Sequence, residues 1–166
     1  MRNFLIALIF ILPLGVGNAQ SPAAKPVEPT AIGIVYCLDP TSQELRKLPD
    51  EQWKGDESGS YGTHYIGVSG SQSSFRVKAG DAILFVFKTG SPEKVSLYSF
   101  EVKKNKRRFA FEKVDRHLKG SSIKGLPVEV SQYGEKSYKL VPASPLIPGE
   151  YAVIIAGEVY TFGIDQ

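Results

Sequence analysis

The stretch Pro145-Leu146-Ile147-Pro148-Gly149-Glu150-Tyr151-Ala152-Val153-Ile154-Ile155, followed after Ala156-Gly157-Glu158 by Val159-Tyr160-Thr161-Phe162, decides the fold. Pro148 presets its own φ for a turn, and Gly149 can take the positive φ that residues with a Cβ avoid. Two segments rich in β-branched and aromatic residues then flank a break at Gly157-Glu158, which reads as a pair of strands. Tyr151, Val153 and Ile155 fall on one face of the first strand, because side chains alternate along a strand.

Leu146-Ile147-Pro148-Gly149-Glu150-Tyr151 resembles the tyrosine corner of immunoglobulin-like sandwiches, in which the hydroxyl of the tyrosine bonds backbone upstream while its ring lies in the core. Val153 stands where antibody domains carry their second framework cysteine, so that disulfide is absent. The ending Pro148-Gly149-Glu150-Tyr151 with Tyr160, Phe162, Gly163 and Asp165 is also similar to that of exported bacterial proteins of unknown function. This resemblance implies an architecture and no activity.

Working toward the amino terminus, the same strand grammar continues. Val128–Tyr133 and 136–141 read as a hairpin around Gly134-Glu135, and 95–102 and 109–114 as another, with its tip at 103–108. Ile83-Leu84-Phe85-Val86-Phe87 is the most apolar run after the leader and is expected to be the central core strand. Segments at 64–68 and 75–77 alternate. Ile32–Leu38 is a continuous apolar run of the kind covered on both faces, with a return arm through Leu45 and Leu48. No segment has the periodicity of an amphipathic helix. The expected fold class is all-β, an antiparallel immunoglobulin-like β-sandwich of about nine or ten strands.

At the start of the chain, Arg2, the apolar run Phe4–Leu12, Pro13 and the small-residue pattern Gly17-Asn18-Ala19 read as a signal peptide over residues 1–19, cut after Ala19. The run is short for a transmembrane helix, and none follows it. The expected localisation is periplasmic or secreted. Residues 20–31, with Pro22, Pro26 and Pro29, read as a Pro-rich linker, and 32–166 as one β-sandwich domain. The single cysteine, Cys37, cannot form an internal disulfide, and its apolar neighbours favour a buried thiol over a reactive one or a bridge to a partner chain.

The net charge of +3 is unevenly spread. Nine basic and two acidic residues between Val102 and Lys124 give +7 there, against −5 for the rest of the chain after Ala19. Lys103, Lys104, Lys106, Arg107 and Arg108 are concentrated at the expected hairpin tip. Such a cluster can hold an anionic envelope polymer with a strong salt dependence, or it can keep an exposed edge from pairing with other chains. Nucleic acid is the least suitable polyanion for an exported chain. Trp53 and Tyr61 lie in a polar, glycine-rich stretch from Pro49 to Gly62, expected to be a loop. There they serve either as exposed anchors for a ligand or protein partner, or, for Trp53, as a lid over the core.

Catalytic chemistry finds no motif. Gly67-Val68-Ser69-Gly70-Ser71 lacks the last glycine of a nucleophile elbow, and only His64 and His117 are available as bases. His64 aligns with Ile66 and Val68 and reads as a strand residue. No metal-ligand spacing, phosphate-cradling loop or cofactor motif is present. The sequence therefore points to a non-catalytic binding module, with a small extracytoplasmic hydrolase or a scaffold subunit of an envelope assembly as alternatives.

Overall fold

The computed structural model describes residues 25–56, 62–114, 117 and 120–166. The signal-peptide reading of 1–19, the first part of the linker, and Tyr61 lie outside the described residues. The described chain is all-β, with fourteen strands: β1 (Val35–Leu38), β2 (Leu45–Lys47), β3 (Trp53–Asp56), β4 (Gly62–Ser69), β5 (Arg76–Lys78), β6 (Phe85–Phe87), β7 (Ser96–Ser99), β8 (Glu101–Lys103), β9 (Lys106–Val114), β10 (Gly120–Ser122), β11 (Val128–Tyr133), β12 (Ser137–Pro142), β13 (Gly149–Ile155) and β14 (Glu158–Asp165). A single 3-10 turn, Pro92–Lys94, precedes β7.

The strands form three sheets, and the one built on the opening stretch lies between the other two. The first sheet has the order β11-β12-β6-β1-β2, the middle one β5-β14-β13-β7, and the third β10-β9-β4-β3 with β8 also on β9. All pairings are antiparallel except β14 with β5. Along β13, Tyr151, Val153 and Ile155 enter the core shared with Val35, Phe85, Phe87 and Leu140 of the first sheet. Ala152 and Ile154 enter a second core with Val68, Phe109 and Ile66 of the third sheet. β14 and β7 alternate in the same way, Phe162 and Leu97 to one side, Val159 and Tyr98 to the other. Burial on both faces is why Ala152-Val153-Ile154-Ile155 is uninterruptedly apolar.

β6 is the central strand of the first sheet, as its composition predicts, with Phe85, Val86 and Phe87 all buried. The β11–β12 and β1–β2 hairpins also form as read. Three expectations are corrected. The apolar run from Ile32 is a strand only from Val35, and Ile32 is 79% exposed. The segment 95–102 is not one hairpin arm: it divides at Phe100, whose amide donates to the Glu150 carbonyl at 2.8 Å, so β7 joins the middle sheet and β8 the third. The stretch from Pro49 is not simply a loop. It contains β3 on the edge of the third sheet, and residues 49–51 lie along β14, with Thr161 N bonded to Pro49 O and Glu51 N to Val159 O.

The second half of the expected linker is docked rather than free. Glu28 accepts the amides of Glu135 and Lys136 at 2.8 and 2.9 Å and the Ser137 hydroxyl at 2.8 Å, capping the β11–β12 turn. Pro29 is buried beside it. The extended, proline-set backbone brings this carboxylate to amides that the turn leaves without ladder partners.

Candidate functional site

The basic tip is a two-residue turn between β8 and β9. Lys104 and Asn105 both have positive φ, 49° and 58°, the conformation that matches the twist of paired strands in a tight hairpin. Asparagine tolerates this region, whereas a lysine Cβ is crowded there. The turn places Lys103 directly opposite Lys106 in the ladder. Lys103, Lys104 and Lys106 are all exposed, and no ion pair engages them among the described residues.

The two arginines of the cluster behave differently, which corrects the expectation of a five-cation tip in water. Arg107 is 1% exposed. Strand alternation turns it inward with Phe109, and its guanidinium donates to the carbonyls of Gly70 and Ser69 at 3.2 and 3.1 Å and to Glu51 Oε2 at 2.5 Å. Its Nη1 lies 3.8 Å from Glu150 Oε2. Arg108 faces outward but is held by Glu101 at 2.9 Å and lies over the Tyr65 ring at 4.4 Å. The free positive field at this end therefore comes from three lysines.

Behind the tip a charged network runs through the second core. Glu150, 6% exposed, accepts the Ser73 amide at 2.7 Å and is paired with Arg76. Arg76 reaches on to Asp165 at 2.6 Å. Ser73 Oγ and Thr161 Oγ1 are 2.9 Å apart, and Thr161 donates to Glu51 at 2.5 Å. Gly163 gives this network its room, since a Cβ there would collide with the Arg76 guanidinium and Glu150. The hydrogen bond from Arg76 holds the Asp165 carboxyl below its ordinary value, and the Asp165 and Glu150 carboxylates in turn raise the arginine. Glu51, Arg107, Glu150, Arg76 and Thr161 come from distant parts of the chain, and nothing in their local sequence marks them. The one signal is a carboxylate, Glu150, inside an otherwise apolar strand.

Trp53 belongs to neither buried core. It is 43% exposed, and its indole N–H donates to the Gly157 carbonyl at 3.0 Å, latching β3 to the β13–β14 turn. His64 Nδ1 lies 3.6 Å from Glu112 Oε2, beyond hydrogen-bond range, with its ring against Phe111. Cys37 is 8% exposed, and burial pushes its thiol up from the ordinary value. Among the described residues no group of His, Cys, Asp or Glu could hold a metal ion, and no helix is long and apolar enough to cross a membrane. No family model, no curated protein and no solved structure matches the chain.

Proposed function

We propose that the chain is an exported, non-catalytic binding module that contacts an anionic envelope component through Lys103, Lys104 and Lys106. One observation carries this reading. The hairpin sets Lys103 and Lys106 opposite each other, where like charges repel, and adds Lys104 at a positive φ. A turn selected for folding alone has better residues, such as Asn-Gly, and local choices that oppose stability are the mark of a functional surface. The leader pattern at Arg2 and Phe4–Leu12 supports export. The Tyr151 corner supports an immunoglobulin-like sandwich for the first and middle sheets, and the third sheet, packed on the middle one, carries the turn.

The test is co-sedimentation of the purified protein with isolated cell envelopes at low and high salt, beside a variant carrying Lys103→Glu, Lys104→Glu and Lys106→Glu. Binding by the wild type that weakens with salt and is lost in the variant is the expected result. Equal sedimentation of both proteins at low salt would remove the turn from consideration.

A further inference from the structure

β11 forms one edge of the first sheet, and it differs from the other edges among the described strands. It runs for six residues, Val128–Tyr133, in unbroken register with β12, and Glu129 is its one charge. The edge strands β2, β3, β5 and β8 are three or four residues long, and each carries a lysine or an arginine. β10 has three residues, and β7 is crossed by Leu126, whose amide donates to the Leu97 carbonyl at 2.7 Å. Shortness, basic side chains and cover are devices that keep an edge from accepting another strand. β11 has none of them.

The parity of the ladder fixes which groups this edge offers. The Ala143 amide donates to the Pro127 carbonyl at 3.0 Å, and bonded pairs recur every second residue, so Glu129, Ser131 and Tyr133 are the residues bonded to β12. The N–H and C=O groups of Val128, Val130 and Gln132 therefore point away from the sheet, and no bond among the described residues takes them. The side chains of these three residues share the inner face. Val128 and Val130 pack on the main core, and with Gln132, Pro92, Glu93 and Val95 they border an open cleft of about 440 Å³. A strand laid against β11 would bond the three residues and turn its alternate side chains over that cleft.

We propose that this strand is β11 of a second copy, paired antiparallel about Val130. Outward groups have to meet outward groups, which leaves few registers. Centred on Glu129, the pairing sets that carboxylate directly against its own copy, where like charges repel. Centred on Ser131, it puts Val128 opposite Gly134, past the end of the strand. Centred on Val130, it bonds all three outward residues, with Val128 facing Gln132 and Glu129 facing Ser131, and no like charges meet. Such a contact uses the same edge of both copies and closes at a dimer. It is separate from the lysine turn and does not depend on it.

A single strand pair is small for an interface, so the purified protein is followed by sedimentation velocity up to about 1 mM, where weak association shows. It should pass from monomer to dimer and no further. Gln132→Pro removes an outward donor and leaves the β12 ladder whole, because proline is tolerated where the N–H faces solvent. Ser131→Glu gains Lys139 across the hairpin but meets Glu129 of the second copy. Each variant should keep the thermal midpoint and weaken the dimer at least about tenfold. Glu129→Cys combined with Ser131→Cys should oxidise to a covalent dimer, since residues facing each other between bonded pairs have Cα atoms about 4.5 Å apart, within disulfide reach. Ser131→Cys alone faces Glu129 and should not. A monomer at every concentration, species beyond the dimer, a dimer that either variant leaves unchanged, or a covalent dimer formed equally by Ser131→Cys alone would each overturn the proposal.

Discussion

The Tyr151 hydroxyl donates to the Ile147 carbonyl at 2.8 Å, closing the Pro148-Gly149 turn from within the core. The ring stacks on Phe162 at 5.4 Å, and burial pushes the phenol above its ordinary value. The bond fixes where β13 begins, and hence which residues of β13 face each core. Tyr151→Phe keeps the ring and removes the bond, so it should cost about 0.5–1.5 kcal/mol in urea unfolding. A midpoint equal to that of the wild type would show the hydroxyl to be dispensable.

Glu150 is the carboxylate between two arginines, one of them fully buried. Glu150→Ala leaves Arg107 and Arg76 short of negative charge inside the second core and should cost about 3–5 kcal/mol. Equilibrium denaturation measures it, and a loss below 1 kcal/mol would mean that the guanidinium groups find water instead.

Phe85 is fully buried and lies 4.8 Å from the Phe162 ring, joining the first sheet to the middle one. Phe85→Ala should cost about 3–5 kcal/mol, through lost burial and the cavity left behind. The same denaturation series checks it.

Glu28 gives a pH dependence. The amides of Glu135 and Lys136, then the Ser137 hydroxyl, pull its carboxyl down from 4.5 to about 2. Because the folded value is the lower one, its contribution is complete above 4.5 and is lost as pH falls through about 2. The thermal midpoint of the wild type should exceed that of Glu28→Gln by a constant margin above pH 4.5, and the margin should close toward pH 2. A margin that persists at the acid end would mean that the amides bind the neutral side chain equally well.

What the sequence discloses is what is local. The Tyr151 corner, the central strand at Phe85–Phe87 and the β11–β12 hairpin are written in consecutive residues, and each forms where it is read, although the chain bends at Pro148 and Gly149 already opens β13 without a positive φ. The third layer is marked only by the unbroken apolar run Ala152-Val153-Ile154-Ile155, which calls for cover on both faces without saying which strands supply it. Arg107 shows the same limit. In a run of lysines and arginines it looks like its neighbours, and only the parity of β9 and the distant Glu51 and Glu150 turn it inward. Glu28 sits among prolines and alanines, and its partners lie more than a hundred residues away.

Three lysines face outward and one arginine holds the interior together, and a paired comparison tests that division. The lysine-turn variant and Arg107→Gln would be measured side by side for unfolding free energy and for envelope co-sedimentation. The triple lysine variant should keep wild-type stability and lose sedimentation, while Arg107→Gln should lose about 3–5 kcal/mol because Glu51 loses its ion pair and Glu150 keeps only Arg76. If Arg107→Gln unfolds like the wild type, or the lysine variant sediments undiminished, the division is wrong.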